Sequence, residues 1–567
     1  MKRRWIAVMV AASVAVLGAV AVVFFASAPG CSASSGSPTT GVGGMGGTGG
    51  VGGTPAPSNS VLERNNHPSR DGHFIQPLLT KAAAKAMTFD TNFKANFTGA
   101  MFASPLYLEN GPGGKGVFFA VTTGNDVFAL DETTGAVVWT HNIGPSPTAS
   151  GAGCGNISPL GIISTPVIDP AARTIYVAGA IGTGAAIQRH EVHALSVDDG
   201  TERAGWPVDV SKASAPGAAA DGGALPFVPV PQNQRSALSL VKGILYVAYG
   251  GHVGDCGPYH GWVVAINTKT PSEMGAWATG GQGEGIWASG GMASDGDGVF
   301  AATGNNTAGA ASHLDSEEVV RISGLGKLDR STGASYFYPT SWLTMDRGDA
   351  DFGSNNPMYV PVPGATPSTF VVALAKDGHM YLLDSTNLGS LGGQLIDFPV
   401  STGLSIWTAP TAYTSNQRVH VALSISAAPN CPPGVPVANG RVVMSVAIPP
   451  GNPPQPHVLW CIPLGGATGP VAPISTTSDG NKDAIVWFMN GTALYGVDGD
   501  TGAIIFAGGT GVCAGVRQWT SPIAVKGRII TSADGHLCSW SVPPPPAPAD
   551  AATAADAPSA SDAAKGG

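Results

Sequence analysis

The sequence predicts an all-β protein, a single eight-bladed β-propeller of four-stranded antiparallel blades behind a signal or membrane anchor and a flexible tether. Three observations carry this. First, charged residues are only 11% of 567, against 80 Gly and 46 Pro; such a mixture suits many short strands joined by turns. Second, one short pattern returns eight times. It is a distinctive residue, two small or polar residues, then Pro or a substitute, before an apolar strand. Third, strands repeatedly end in an acidic turn followed by another strand with a large aromatic, as in Val127–Trp139 and Leu494–Phe506.

The eight repeats begin at Phe102, Ile163, Arg235, Trp287, Ser354, Trp407, Pro470 and Trp519, at spacings of 49 to 72 residues. About 60 residues with four short strands make one propeller blade. A blade buries its faces only against its neighbours, so the ring must close. The eighth unit, from Trp519 to Val542, is too short for four strands, and residues 84–100 are expected to supply the missing one. Outside the signal, the only helix expected is a short one near Thr80–Met87, where Thr caps and Ala/Lys propagate.

The organisation divides at composition shifts. Residues 1–31 carry Lys2, Arg3 and Arg4, an apolar run, and Ala28-Pro29-Gly30-Cys31. They read as a signal peptide or anchor with a lipobox-like end, and Cys31 as the lipidation site. Ala28 stands where such signals carry Leu, so an uncleaved anchor and plain secretion stay open. Residues 32–60 are a Gly/Ser/Pro linker that cannot bury enough apolar area to order itself. Residues 61–542 are the propeller, and residues 543–567 a disordered Pro/Ala-rich tail. The expected location is the outer membrane, cell surface or periplasm.

The net charge is −9, and more acidic once the basic leader is gone. This argues against nucleic-acid binding. Six Cys remain beyond Cys31, an even number that suits disulfides in an exported chain. Blade adjacency pairs Cys513 with Cys538, Cys431 with Cys461, and Cys154 with Cys256. No C-x-x-C-H haem attachment motif, Ser-His-Asp arrangement, P-loop or dinucleotide fingerprint stands out.

The first strand of a blade lines the central channel, so the eight repeat-start residues should meet at one mouth. The Gln232–Arg235, Glu284–Trp287 and Arg517–Trp519 segments converge there. The candidate ligand-binding residues are Phe102, Arg235, Glu284, Trp287, Trp407, Arg517 and Trp519. Flat apolar faces with fixed charges suit a small polar ligand, or a peptide of an envelope protein. The competing reading is that these aromatics merely plug the channel. Two further clusters are weighed. His252, Asp255 and His260 are zinc-type ligand residues, in a loop that fits no standard metal motif. Asp349, Asp351 and Asn355 are weak calcium candidates in a segment equally suited to blade connection.

The Leu-Asp-x-x-Thr-Gly…Trp unit resembles the repeat of pyrroloquinoline-quinone (PQQ)-type propellers, the quinoprotein alcohol dehydrogenase-like superfamily. More closely, the chain resembles secreted bacterial PQQ-like repeat proteins without an assigned reaction. Matching stretches are Asn65–Gly72, Gln232–Arg235, Gly257–Trp262, Glu284–Gly290, Ala302–Asn305 and Ala375–Gly378. The resemblance covers roughly residues 61–542 and implies fold more than function. It implies one alternative function, a PQQ- and calcium-dependent alcohol or sugar dehydrogenase. Those enzymes carry two adjacent Cys over the quinone, and this sequence has no Cys-Cys pair. Their calcium ligands and catalytic Asp are not placed by motif. The expected role is therefore a lipid-anchored binding or scaffold module, monomeric, acting through one channel mouth.

Overall fold

The computed structural model describes residues 59–544, except 149–152, 310–311, 404–407, 427–428, 436, 438–439 and 465–471. Cys31, linker residues 32–58, tail residues 545–567, Trp407 and Pro470 lie outside the described residues.

Eight antiparallel sheets follow one another along the chain. Blades 1 to 4 span residues 106–142, 167–209, 239–278 and 293–338. Blades 5 to 8 span 358–399, 411–463, 474–507 and 523–541. Each repeat pattern ends just before the first strand of its blade: Phe102–Pro105 precedes Leu106–Leu108, and Trp519–Pro522 precedes Ile523–Val525. Blade 8 has only three strands of its own. Its fourth is Thr88–Phe89, which pairs with His536–Ser541 in the register Thr88↔Ser541 and Phe89↔Trp540. Phe89 meets Trp540 edge-on at 5.4 Å. This closure joins the two ends of the chain, as the short eighth unit requires.

The acidic turns have a simple cause. The Asp131 carboxylate accepts from Thr133 and Thr134 backbone N–H at 3.0 and 2.8 Å. Gly135 takes φ 77°, where a side chain would meet the Ala95 backbone at 2.3 Å. Asp498 with Thr501 and Gly502 repeats the device in blade 7. Alternate strand residues fill the spaces between neighbouring blades, where the apolar clusters form. One such cluster links Phe118 and Val121 with Trp487, Ile529 and Trp540.

The helix α1 is Lys81–Lys85, with the Thr80 hydroxyl accepting from Ala83 N–H. A second helix, α2 (Trp342–Gly348), was not expected. It lies in the connection from blade 4 to blade 5 and is held by burial of Met345 rather than by a side-chain cap.

The three disulfides join Cys154 to Cys256, Cys431 to Cys461 and Cys513 to Cys538. Cys431–Cys461 stays within blade 6, and Cys513–Cys538 ties the connection after blade 7 to the last strand of blade 8. Cys154–Cys256 ties the connection into blade 2 to a loop of blade 3.

Innermost strands present unpaired backbone groups to the channel. Residues 61–76 satisfy them one blade at a time. Val61 exchanges two hydrogen bonds with Tyr107 of blade 1, and Leu62 O accepts from Ile168 N–H of blade 2. Pro68, Ser69, Asp71 and Gly72 carbonyls accept from Ser294, Tyr359, Ala412 and Ser475 of blades 4 to 7. The Arg70 guanidinium donates to Leu238 O and Ser239 Oγ at blade 3, and Gln76 Oε1 accepts from Gly527 N–H of blade 8. His73–Ile75 then adds a parallel strand to blade 7. These contacts fall several residues past the repeat-start positions, so the segment floors the mouth from within the channel.

Candidate functional site

The mouth is built from two sets of residues. One set precedes the first strands: Arg235, Trp287 and Trp519. The other follows the second strands, which return to the same end: the Gly251–Asp255 loop with Tyr259, then Asn305 and Lys376. Together with Asp349 and Asp351 they line a cavity of about 170 Å³. That is the scale of a cavity that holds a benzene ring, below that of drug-sized pockets.

Arg235 is the centre of the site. It is 5% exposed, and its guanidinium carbon lies 4.6 Å from the Trp519 ring centre and 5.2 Å from that of Trp287. Its Nε is buried without a hydrogen-bond partner. No carboxylate pairs with it among the described residues. Burial lowers its pKa to about 10, so it stays a cation at neutral pH. A buried cation without a counter-ion is costly.

Lys376 is arranged in the opposite way. Its ammonium pairs with Asp349 at 2.7 Å and Asp351 at 2.9 Å, beside the Trp287 ring. Asp351 also accepts from Ser354 N–H at 3.0 Å. Burial raises the Asp351 pKa to about 6, against the pull of Lys376. Just behind, Glu317 is fully buried and accepts from Phe352 N–H. Burial, then the Asp351 charge, holds its pKa well above the carboxylate range. Across the mouth, the Tyr259 hydroxyl donates to Asp255 Oδ1 at 2.7 Å. Gly251 allows the Tyr259 ring to close on it, since a Cβ there would sit 2.4 Å from that ring.

Trp519 occupies the left-handed region at φ 72°, a strained position for a large side chain. Arg64 of the channel segment donates to its carbonyl at 2.6 Å and fixes it there. Arg64 is itself buried, and burial with the nearby Arg70 lowers its pKa to about 9.

The structure places the sequence candidates as follows. Arg235, Trp287 and Trp519 line the cavity. Phe102 packs on Trp519 with ring centres 6.0 Å apart. Arg517 is not among the lining residues: it covers Phe102 at 5.4 Å and forms a two-pronged pair with Asp534. Glu284 also departs from the expectation. It is fully buried and accepts from Gly281 N–H and Asn306 Nδ2 instead of facing the cavity. A backbone at φ 49° turns it inward. The zinc-type trio is dispersed: His252 bonds Val230 O, His260 bonds Thr279 O, and Asp255 takes the Tyr259 hydroxyl. Asp349 and Asp351 are held by Lys376, and Asn355 Nδ2 donates to Ser354 Oγ.

Lys376, Asn305 and Tyr259 were missed as site residues although they fall in stretches that carry the family resemblance. The usable signal was antiparallel geometry: a second strand ends where the first begins, so its following loop belongs to the same mouth.

A quinone with calcium is a demanding occupant for these residues. Asp351, Asn305 and Asp255 offer hard oxygens, and Trp287 offers a flat face. Yet Lys376 already sits on Asp351, the cavity is single-ring in scale, and the lining carries three carboxylates against two cations. A calcium ion would reverse that balance, so it is the size of the cavity and the Lys376–Asp351 pair that weigh against this occupant. As they stand, the residues do not fit calcium and a tricyclic quinone together.

No family model matches the sequence, and comparison with curated proteins finds no match. Solved structures do match. The quinohemoprotein alcohol dehydrogenase from Comamonas testosteroni superposes with TM-score 0.59 at 13% identity, covering 86% of this chain and 81% of that one. The quinohemoprotein alcohol dehydrogenase ADHIIG from Pseudomonas putida HK5 gives 0.60 at 13%, covering 86% and 82%. A europium-containing methanol dehydrogenase gives 0.56 at 14%, covering 85% and 98%. In fold, this chain is an eight-bladed β-propeller similar to those of these dehydrogenases.

Proposed function

We propose that the protein is an exported, membrane-tethered binding module that captures a small carboxylate-bearing molecule at one mouth of its propeller. The observation that carries this reading is Arg235: a buried guanidinium between two indoles, with no carboxylate partner among the described residues. An arriving carboxylate would supply the missing counter-ion in a place where water competes poorly. The channel segment gives the site a floor, so ligand enters and leaves by the same opening. The disulfides suit an oxidising compartment outside the cytoplasm, and the Cys31 context suits a lipid anchor.

The test is calorimetric titration of the full-length protein with 3-phenylpropanoate, a one-ring carboxylate. Saturable binding is expected, weakened at least about 10-fold in Arg235→Gln, the scale of a lost charged hydrogen bond. A parallel titration with PQQ and calcium chloride is followed by absorbance. Stoichiometric uptake of the quinone would favour the dehydrogenase reading instead.

A further inference from the structure

Five charged side chains line the cavity, and they sort into two groups. Lys376 is held between Asp349 and Asp351, a paired triad with one carboxylate charge in excess. Arg235 and Asp255 have no ion-pair partner among the described residues. Arg235 is buried between the indoles, and Asp255 is exposed on the rim, where one oxygen takes the Tyr259 hydroxyl. Tyr259, Asp255 and Asp351 all favour the charged form of Arg235 through space. The cavity therefore offers one unpaired charge of each sign beside flat apolar faces.

We infer that the ligand is a small zwitterion, an α-amino acid with an apolar side chain, its carboxylate on Arg235 and its ammonium on Asp255. This rests on the reading of the mouth as a ligand site. A simple carboxylate satisfies Arg235 but leaves Asp255 unpaired beside it. A polycarboxylate meets three like charges. An amine alone leaves the buried Arg235 without a counter-ion, the costlier omission. A zwitterion answers both groups and brings no net charge into a lining that is already net negative. The cavity size admits one ring or a branched aliphatic group, and the indole faces and Tyr259 supply apolar contact. Asp255 faces solvent, so its contribution is moderate and falls with salt.

The test compares three probes on the full-length protein by isothermal titration: L-phenylalanine, 3-phenylpropanoate and phenethylamine. L-Phenylalanine is expected to bind about 5-fold more tightly than 3-phenylpropanoate at low salt, and phenethylamine not measurably. Asp255→Asn should erase the difference between the first two without weakening 3-phenylpropanoate, while Arg235→Gln weakens both. Equal binding of the two carboxylates, each dependent on Arg235, would overturn the zwitterion and leave the mouth site standing. Tightest binding of phenethylamine, or no binding of any probe, would overturn the zwitterion and the carboxylate-ligand reading together.

Discussion

Replacing Arg235 by Met should stabilise the fold while abolishing capture, an outcome that separates a ligand anchor from a structural plug. Burial pulls the guanidinium pKa from its ordinary value down to about 10. At about 1.36 kcal/mol per unit, keeping the cation there costs the fold about 3 kcal/mol. The two indole contacts return about 1–2 kcal/mol. Because the folded pKa is the lower one, the penalty is fully present below about pH 10 and fades only above it, towards the unfolded value. It is therefore constant between pH 6 and 8, and substitution exposes it better than titration. Met keeps much of the apolar stem against Trp287 and Trp519 without the charge. The net expectation is a gain of about 1–2 kcal/mol, which for a folded unit of this size is about 1–2 °C in Tm. Calorimetry of the wild type and Arg235→Met, paired with 3-phenylpropanoate titration, measures both effects. A Tm lower by several degrees, or affinity unchanged, would refute the reasoning and favour the plug.

Other expectations follow from neighbouring groups. Burial raises the Glu284 pKa to about 8. A carboxyl whose folded pKa is raised contributes stability below its unfolded value, near 4.5, and loses it as pH rises through about 8. Between pH 7 and 9 the loss is about 1.4 kcal/mol, and Glu318, at about 7, adds to it. The urea midpoint should fall across that range; a flat or rising midpoint would contradict the burial argument. The Cys154–Cys256 bond pins the Gly251–Asp255 wall of the cavity. Replacing both Cys with Ser should speed hydrogen exchange in residues 251–259 and weaken 3-phenylpropanoate several-fold, with exchange elsewhere unchanged. Unaltered exchange in that loop would show that the wall is held without the disulfide. Cys31→Ser should move the protein from the membrane fraction to the soluble one; a variant that still pellets would favour an uncleaved apolar anchor.

The ring was legible because the blades repeat a marked start, and blades 1 and 7 add an Asp-x-x-Thr-Gly turn and an aromatic close. The fourth strand of blade 8 was legible by subtraction, since Trp519–Val542 could not supply it. The role of residues 61–76 was not. Asn65–Gly72 has no strand periodicity, and its hydrogen bonds go to six distant parts of the chain, which spacing cannot reveal. The mouth was half legible. Positions such as Arg235 and Trp287 are marked by the repeat itself, whereas Lys376 and Asn305 sit in second-strand loops of unequal length. Glu284 misled because its neighbours Gly285 and Trp287 do line the mouth. A single positive φ reverses its direction, and nothing in an isolated Gly-Glu-Gly triplet states which way the acid turns.

The most direct test is a crystal structure of the full-length protein soaked with 3-phenylpropanoate. The account predicts the carboxylate at the mouth, about 2.7–2.9 Å from the Arg235 guanidinium nitrogens, with the ring against Trp287 and Trp519. Ligand bound elsewhere, or Arg235 closed between its two indoles with no ligand beside it at saturating concentration, would contradict it.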